Sequence, residues 1–130
     1  MRTRRATFTV LVLAFALLAP ALTSAQGATG TWNATWETRI GEQRYTFRLE
    51  QRGQTLTGTA TSNFGEAKIE DGRVTGNVIT FTETLTIEGT VRQFEYSGTL
   101  AADKIAFVRD VFDGNKNKIT TEKFEATKTR

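Results

Sequence analysis

From Gly30 onward, apolar and polar residues alternate almost without a break. In "GTWNATWET" the residues Trp32, Ala34 and Trp36 fall on one face. In "RYTFRLE" that face carries Tyr45, Phe47 and Leu49, with Arg44, Thr46, Arg48 and Glu50 opposite. A period of two is the mark of a half-buried strand. Arg52-Gly53 turns the chain into "TLTGTAT", where Leu56, Gly58 and Ala60 alternate with threonines. Asn63 to Gly65 forms a loop, and a short strand with Ala67 and Ile69 follows. Asp71-Gly72 and Gly76-Asn77 are hairpin-turn signals that bracket a very short strand around Val74.

The second half keeps the same period. "VITFTETLTIE" sets Ile79, Phe81, Leu85 and Ile87 against Thr80, Thr82, Thr84 and Thr86. Phe94, Tyr96 and Leu100 share a face, then Ile105 and Phe107, and finally Phe124 and Ala126. No segment has a helical period. The pattern predicts an all-β domain: an antiparallel meander of about eight strands. A closed up-and-down β-barrel is favoured over a β-sandwich, because closure removes the exposed edges of a sheet that has no disulfides. Gly58 and Gly98, inside strands, are the expected bending points. No repeat, linker or second domain interrupts residues 26–130.

Residues 1–25 read differently. "MRTRR" is a basic start, "FTVLVLAFALLAPAL" an apolar run, and Thr23-Ser24-Ala25 a small-residue cleavage site. Together they form a secretory signal peptide, and the run is too short for a spanning helix. A twin-arginine signal is the weaker alternative, since Phe8 stands one place late after Arg4-Arg5. No cysteine follows the run to accept a lipid. The expectation is a secreted or periplasmic protein with no membrane contact after cleavage.

Removal of that segment changes the charge. Of 17 basic residues, three (Arg2, Arg4 and Arg5) lie within it, so 14 remain to face 14 acidic ones. The remaining charges are interleaved, which offers no field for nucleic acid. The chain also contains no His and no Cys. Ser-His-Asp, Cys-His and zinc chemistry are therefore impossible within it, and no metal or cofactor is expected.

"TGTW" (29–32) and "LTGT" (56–59), followed by a meander, resemble the calycin barrels, the lipocalins and avidins. No tryptophan follows Trp36 to wall an avidin-type biotin site, so biotin binding does not carry over. More broadly, the stretch Ile69 to Phe81, with Asp71-Gly72, Val74, Gly76-Asn77 and Ile79, is similar to small secreted bacterial β domains. These are treated as lipocalin-like or sandwich accessory modules. The resemblance implies a non-catalytic role. It also implies a structural Trp32, buried at one end of the barrel with Gly30 letting the chain cross closely. A late-strand cation would cover the indole, with Arg109, Lys128 and Arg130 as candidates.

Glu83 breaks the pattern, because it shares a face with Ile79, Phe81, Leu85 and Ile87. An inward carboxylate needs a partner, since burying it bare costs several kcal/mol. Arg109, on the face of Ile105 and Phe107, is the natural counterpart, one strand away across about 9.5 Å. Tyr45 and Tyr96 add polar tips to apolar faces, their hydroxyls expected at a barrel end, and Trp36 stands where a mouth would open. These five are the candidate ligand-binding residues. The threonine rows are ordinary outward strand positions. "DGNKN" (113–117) lacks the glycine and distal glutamate of a calcium loop, and the "NAT" sequon at Asn33 lies within a strand.

Three functions fit this sequence. The first is a non-catalytic barrel holding a small, mostly apolar ligand: the inward aromatics argue for a filled lumen, and the inward residues Ala34, Gly58, Ala60, Ala67, Gly98 and Ala126 for a pocket, with both open to an eight-stranded barrel. The second is an accessory module that binds extracellular polysaccharide through loop aromatics Phe64 and Phe112. The third is a small-barrel isomerase or cyclase with Glu83 or a tyrosine as acid or base.

Overall fold

The computed structural model describes residues 27–129, so the expected signal peptide over residues 1–25, Gln26 and Arg130 lie outside the described residues. The strands are β1 (Gly30–Thr38), β2 (Gly41–Arg52), β3 (Thr55–Ser62), β4 (Gly65–Lys68), β5 (Glu70–Thr75), β6 (Val78–Ile87), β7 (Thr90–Ala101), β8 (Lys104–Phe112) and β9 (Lys118–Lys128). Successive strands pair antiparallel except β4 with β5, and β1 pairs with β9 at Trp32↔Lys128 and Asn33↔Thr127. The sheet closes on itself. β4 and β5 pair with opposite ends of β3 and together take one place in the wall, giving an eight-stranded up-and-down barrel.

Asp71-Gly72 is not a turn. On β6 the register steps from Glu70↔Thr82 to Arg73↔Thr80, which leaves one extra residue on β5. That is a β-bulge, and it re-aims the strand where β4 gives way to β5. Asp71 takes a positive φ of 54°, a conformation Asp tolerates. A Cβ on Gly72 would stand 2.0 Å from the Leu56 carbonyl oxygen, so only glycine fits. Turn chemistry was legible here, but a bulge uses the same residues.

The barrel has two unlike ends. At the closed end the incoming segment crosses beneath the lumen, and Ala28 is fully buried. The Ala28 carbonyl accepts a 3.0 Å hydrogen bond from Trp32 Nε1, which leaves the buried indole fully satisfied. The Nζ of Lys128 lies 5.6 Å from the Trp32 ring centroid. Its stem crosses Gly30, where a Cβ would meet Lys128 Cε at 2.6 Å. Among the described residues, Lys128 is thus the cation over the indole, whereas Arg109 lies over Trp36.

Above this layer the lumen is filled by rings. Phe47 lies 5.3 to 5.9 Å, centroid to centroid, from Phe81, Tyr96 and Phe107. The small inward residues fill two needs, room for a ring and close approach of strands. Gly98, for example, leaves the space that Phe107 and Ile105 occupy, since a Cβ there would fall within 2.8 Å of both. Gly58, at φ 148°, lets β3 lie against β2, where a Cβ would strike the Arg48 carbonyl oxygen at 1.9 Å.

Candidate functional site

Toward the open end the inward positions change from apolar to polar. Strand register lines them up: Tyr96 on β7 sits opposite Arg109 on β8, which sits opposite Glu122 on β9. Glu83 on β6 lies one step along, opposite Phe94. The result is a belt of polar groups around the inner wall.

The belt is hydrogen-bonded throughout. Tyr96 Oη donates to Glu83 Oε1 at 2.6 Å, and Tyr45 Oη reaches across to both Glu83 oxygens at 3.2 Å. Arg109 Nη1 donates to Tyr96 Oη at 3.0 Å. Its Nε and Nη2 donate to Glu122 Oε1 at 3.1 and 2.8 Å. Trp36 Nε1 completes the set with a 3.2 Å bond to the same oxygen. Rings surround the guanidinium, whose carbon lies 4.3 Å from the Phe94 centroid, 5.0 Å from Trp36 and 5.2 Å from Tyr45.

All five candidate side chains therefore meet in one cluster, though not in the expected pairs. Glu83 and Arg109 do not form an ion pair: Arg109 takes Glu122, and the Tyr96 hydroxyl links it to Glu83. The tyrosine hydroxyls lie inside on Glu83, not at a barrel end. Glu122 was missed as a site residue, yet it shares the inward parity of Phe124 and Ala126, the same signal that singled out Glu83. Gln43 was missed too, on the face of Tyr45 and Phe47. It was hidden because a glutamine beside a turn looks like ordinary surface.

Burial raises the Glu83 carboxyl above its ordinary range, although the Tyr96 and Tyr45 hydroxyls and Arg109 pull it back. Burial and the nearby Glu83 push Tyr45 up to about 12 and hold Tyr96 well above 10. Burial works against the charge on Arg109, but Tyr96, Tyr45 and Glu122 outweigh it, and its value is raised.

Above the belt opens a cavity of about 600 Å³. Its floor is Tyr45, Gln43, Arg109 and Glu122; Phe94, Val111 and Ile87 form the wall, with Ile40, Phe64 and Ile119 toward the mouth. Glu83 and Tyr96 are absent from the lining, and so is Trp36, whose ring stacks on Phe124 at 3.7 Å. Phe112 is the last residue of β8, not a loop residue, and it is half-buried. In the β8–β9 loop, Asp113 Oδ1 accepts the amides of Asn115 and Asn117, as in a plain hairpin turn. Among the described residues, no three acidic side chains converge as a metal ion would need.

No protein-family model, curated protein or solved structure matches this chain.

Proposed function

We propose that this chain is an exported, non-catalytic barrel that holds a small, mostly apolar ligand at its open end. The observation that carries the reading is the cavity itself. Its volume of about 600 Å³ suits one small molecule, and its mostly apolar lining converges on a few fixed polar groups. The floor is already organised: Arg109 and Glu122 are hydrogen-bonded in place before any ligand arrives, which lowers the cost of binding. A closed barrel with a buried Trp32 under Lys128 also fits the calycin-like likeness. Export rests on the pattern of residues 1–25.

Catalysis by Glu83 is less well supported, because the carboxyl lies below the floor and Tyr45 stands between it and the cavity. The polysaccharide reading needs a flat exposed aromatic face, whereas Phe64 turns into the cavity mouth. Titration with N-phenyl-1-naphthylamine, a neutral apolar fluorophore, tests the binding reading. Saturable 1:1 fluorescence enhancement is expected, weakened by Ile119→Asp at the mouth. Failure of the dye to bind the folded protein would end the proposal.

A further inference from the structure

The cavity has a buried polar floor, apolar side chains from Phe94 and Val111 up to Ile40, Phe64 and Ile119, and the solvated charges of Glu37, Arg39 and Arg92 at its rim. A ligand must therefore enter head first, its apolar body against Ile40, Phe64 and Ile119, and the head group decides which ligands fit.

The charges at the floor are already matched. Arg109 spends three donors on Glu122 and Tyr96. An incoming carboxylate would have to compete with Glu122 for that guanidinium, and Glu83 lies just beneath as a further carboxyl. An incoming ammonium would face Arg109 at short range. The ring faces that would stabilise it, those of Phe94, Trp36 and Tyr45, are occupied by the guanidinium. Arg39, Arg92 and Glu37 also line the cavity. They are not buried, so water and salt screen them.

Gln43 differs from these groups. The residue is 4% exposed and lines the cavity, and no side-chain hydrogen bond ties it within the described residues. A carboxamide carries both donors and an acceptor. Glu122 Oε2, likewise, accepts no side-chain hydrogen bond there, since every bond to this carboxylate goes to Oε1.

We infer that the ligand is a neutral amphiphile whose head group both donates and accepts hydrogen bonds, such as a carboxamide or an alcohol, recognised by Gln43 beside Glu122. This inference rests on the binding reading above. An uncharged head leaves the Arg109–Glu122 pair intact, donates to the free carboxylate oxygen, and pairs with the amide of Gln43.

Three probes with one tail test it: octanamide, octanoate and octylamine, titrated at pH 7 by calorimetry, with displacement of bound N-phenyl-1-naphthylamine as a second readout. Octanamide is expected to bind about tenfold tighter than either charged probe, the cost of leaving a buried polar group unpaired. Gln43→Leu should erase that preference, with circular dichroism showing that the variant is folded. If either charged probe binds as well as the amide, or Gln43→Leu keeps the preference, the head-group inference is overturned. The same holds if the dye binds and none of the three probes does. If the dye also fails, the binding reading falls with it.

Discussion

Glu83 and Arg109 face each other from β6 and β8, yet the hydroxyl of Tyr96 stands between them. That oxygen donates to the carboxylate at 2.6 Å and accepts from the guanidinium at 3.0 Å. A single phenol thus joins the two buried charged groups without letting them touch. Each group also has a partner of its own: Tyr45 for Glu83 and Glu122 for Arg109.

Removing that oxygen should cost more than removing its counterpart. Tyr96→Phe strips a donor from Glu83 and an acceptor from Arg109, and a loss of about 2–4 kcal/mol is expected. Tyr45→Phe removes only a longer, shared bond to Glu83 and should cost about 1 kcal/mol. Urea melts of the two variants give the comparison. Equal losses would mean that the hydroxyl of Tyr96 does not link the pair.

Much of this arrangement could be seen in the alternation alone. Period two placed Glu83, Arg109, Tyr45 and Tyr96 inside, and closure then forced them together. The choice of partners was not legible, because parity assigns a face and not a height along the barrel. Height comes from register: Tyr96 lies level with Arg109, and Arg109 with Glu122. The bulge at Asp71-Gly72 helps explain why the β5 register escaped notice. Where the cavity lies was also illegible, since inward aromatics argue for a filled lumen and small residues such as Gly98 for a hollow one; Gly98 in fact leaves the space that Phe107 occupies.

The raised carboxyl of Glu83 gives stability a definite slope with pH. The folded protein holds that proton more tightly than the unfolded chain does, whose carboxyl titrates near 4.5. Protonation therefore favours the fold. The contribution is fully present below about 4.5 and is lost as pH rises through the higher folded value, at no more than about 1.4 kcal/mol per pH unit. Glu83→Gln should flatten this part of the profile and narrow the stability gap on the neutral side. Urea midpoints between pH 4 and pH 8 test the sign, and a wild-type stability that climbs across the window while the variant's stays level would contradict it.

At the closed end, indole burial should outweigh the cation that covers it. Trp32→Ala is expected to cost about 3–5 kcal/mol, a large part of a small domain's stability. Lys128→Gln should cost only about 0.5–1 kcal/mol, because its ammonium is exposed over the ring. Trp36→Ala should fall between them, since that side chain is half-buried but anchors Glu122. Chemical denaturation ranks the three, and a Lys128 effect as large as that of Trp32 would reverse the account.

The Arg109–Glu122 pair offers the sharpest test of how the floor is held. Arg109 is 4% exposed at its side chain and Glu122 16%, so water does little to compensate either charge when its partner is lost. Arg109→Met leaves Glu122 half-sheltered with only the Trp36 donor, and Glu122→Leu leaves a buried guanidinium beside Tyr96 and the rings. Each single change should cost about 3–5 kcal/mol, the Glu122 change more, because it strands the deeper charge. The double variant replaces both charges with apolar volume and should be more stable than the sum of the two losses predicts, by about 2 kcal/mol or more. Additive losses would mean that the pair does not act as a unit. A double variant that folds should also lose the preference for octanamide, because Gln43 loses its carboxylate neighbour.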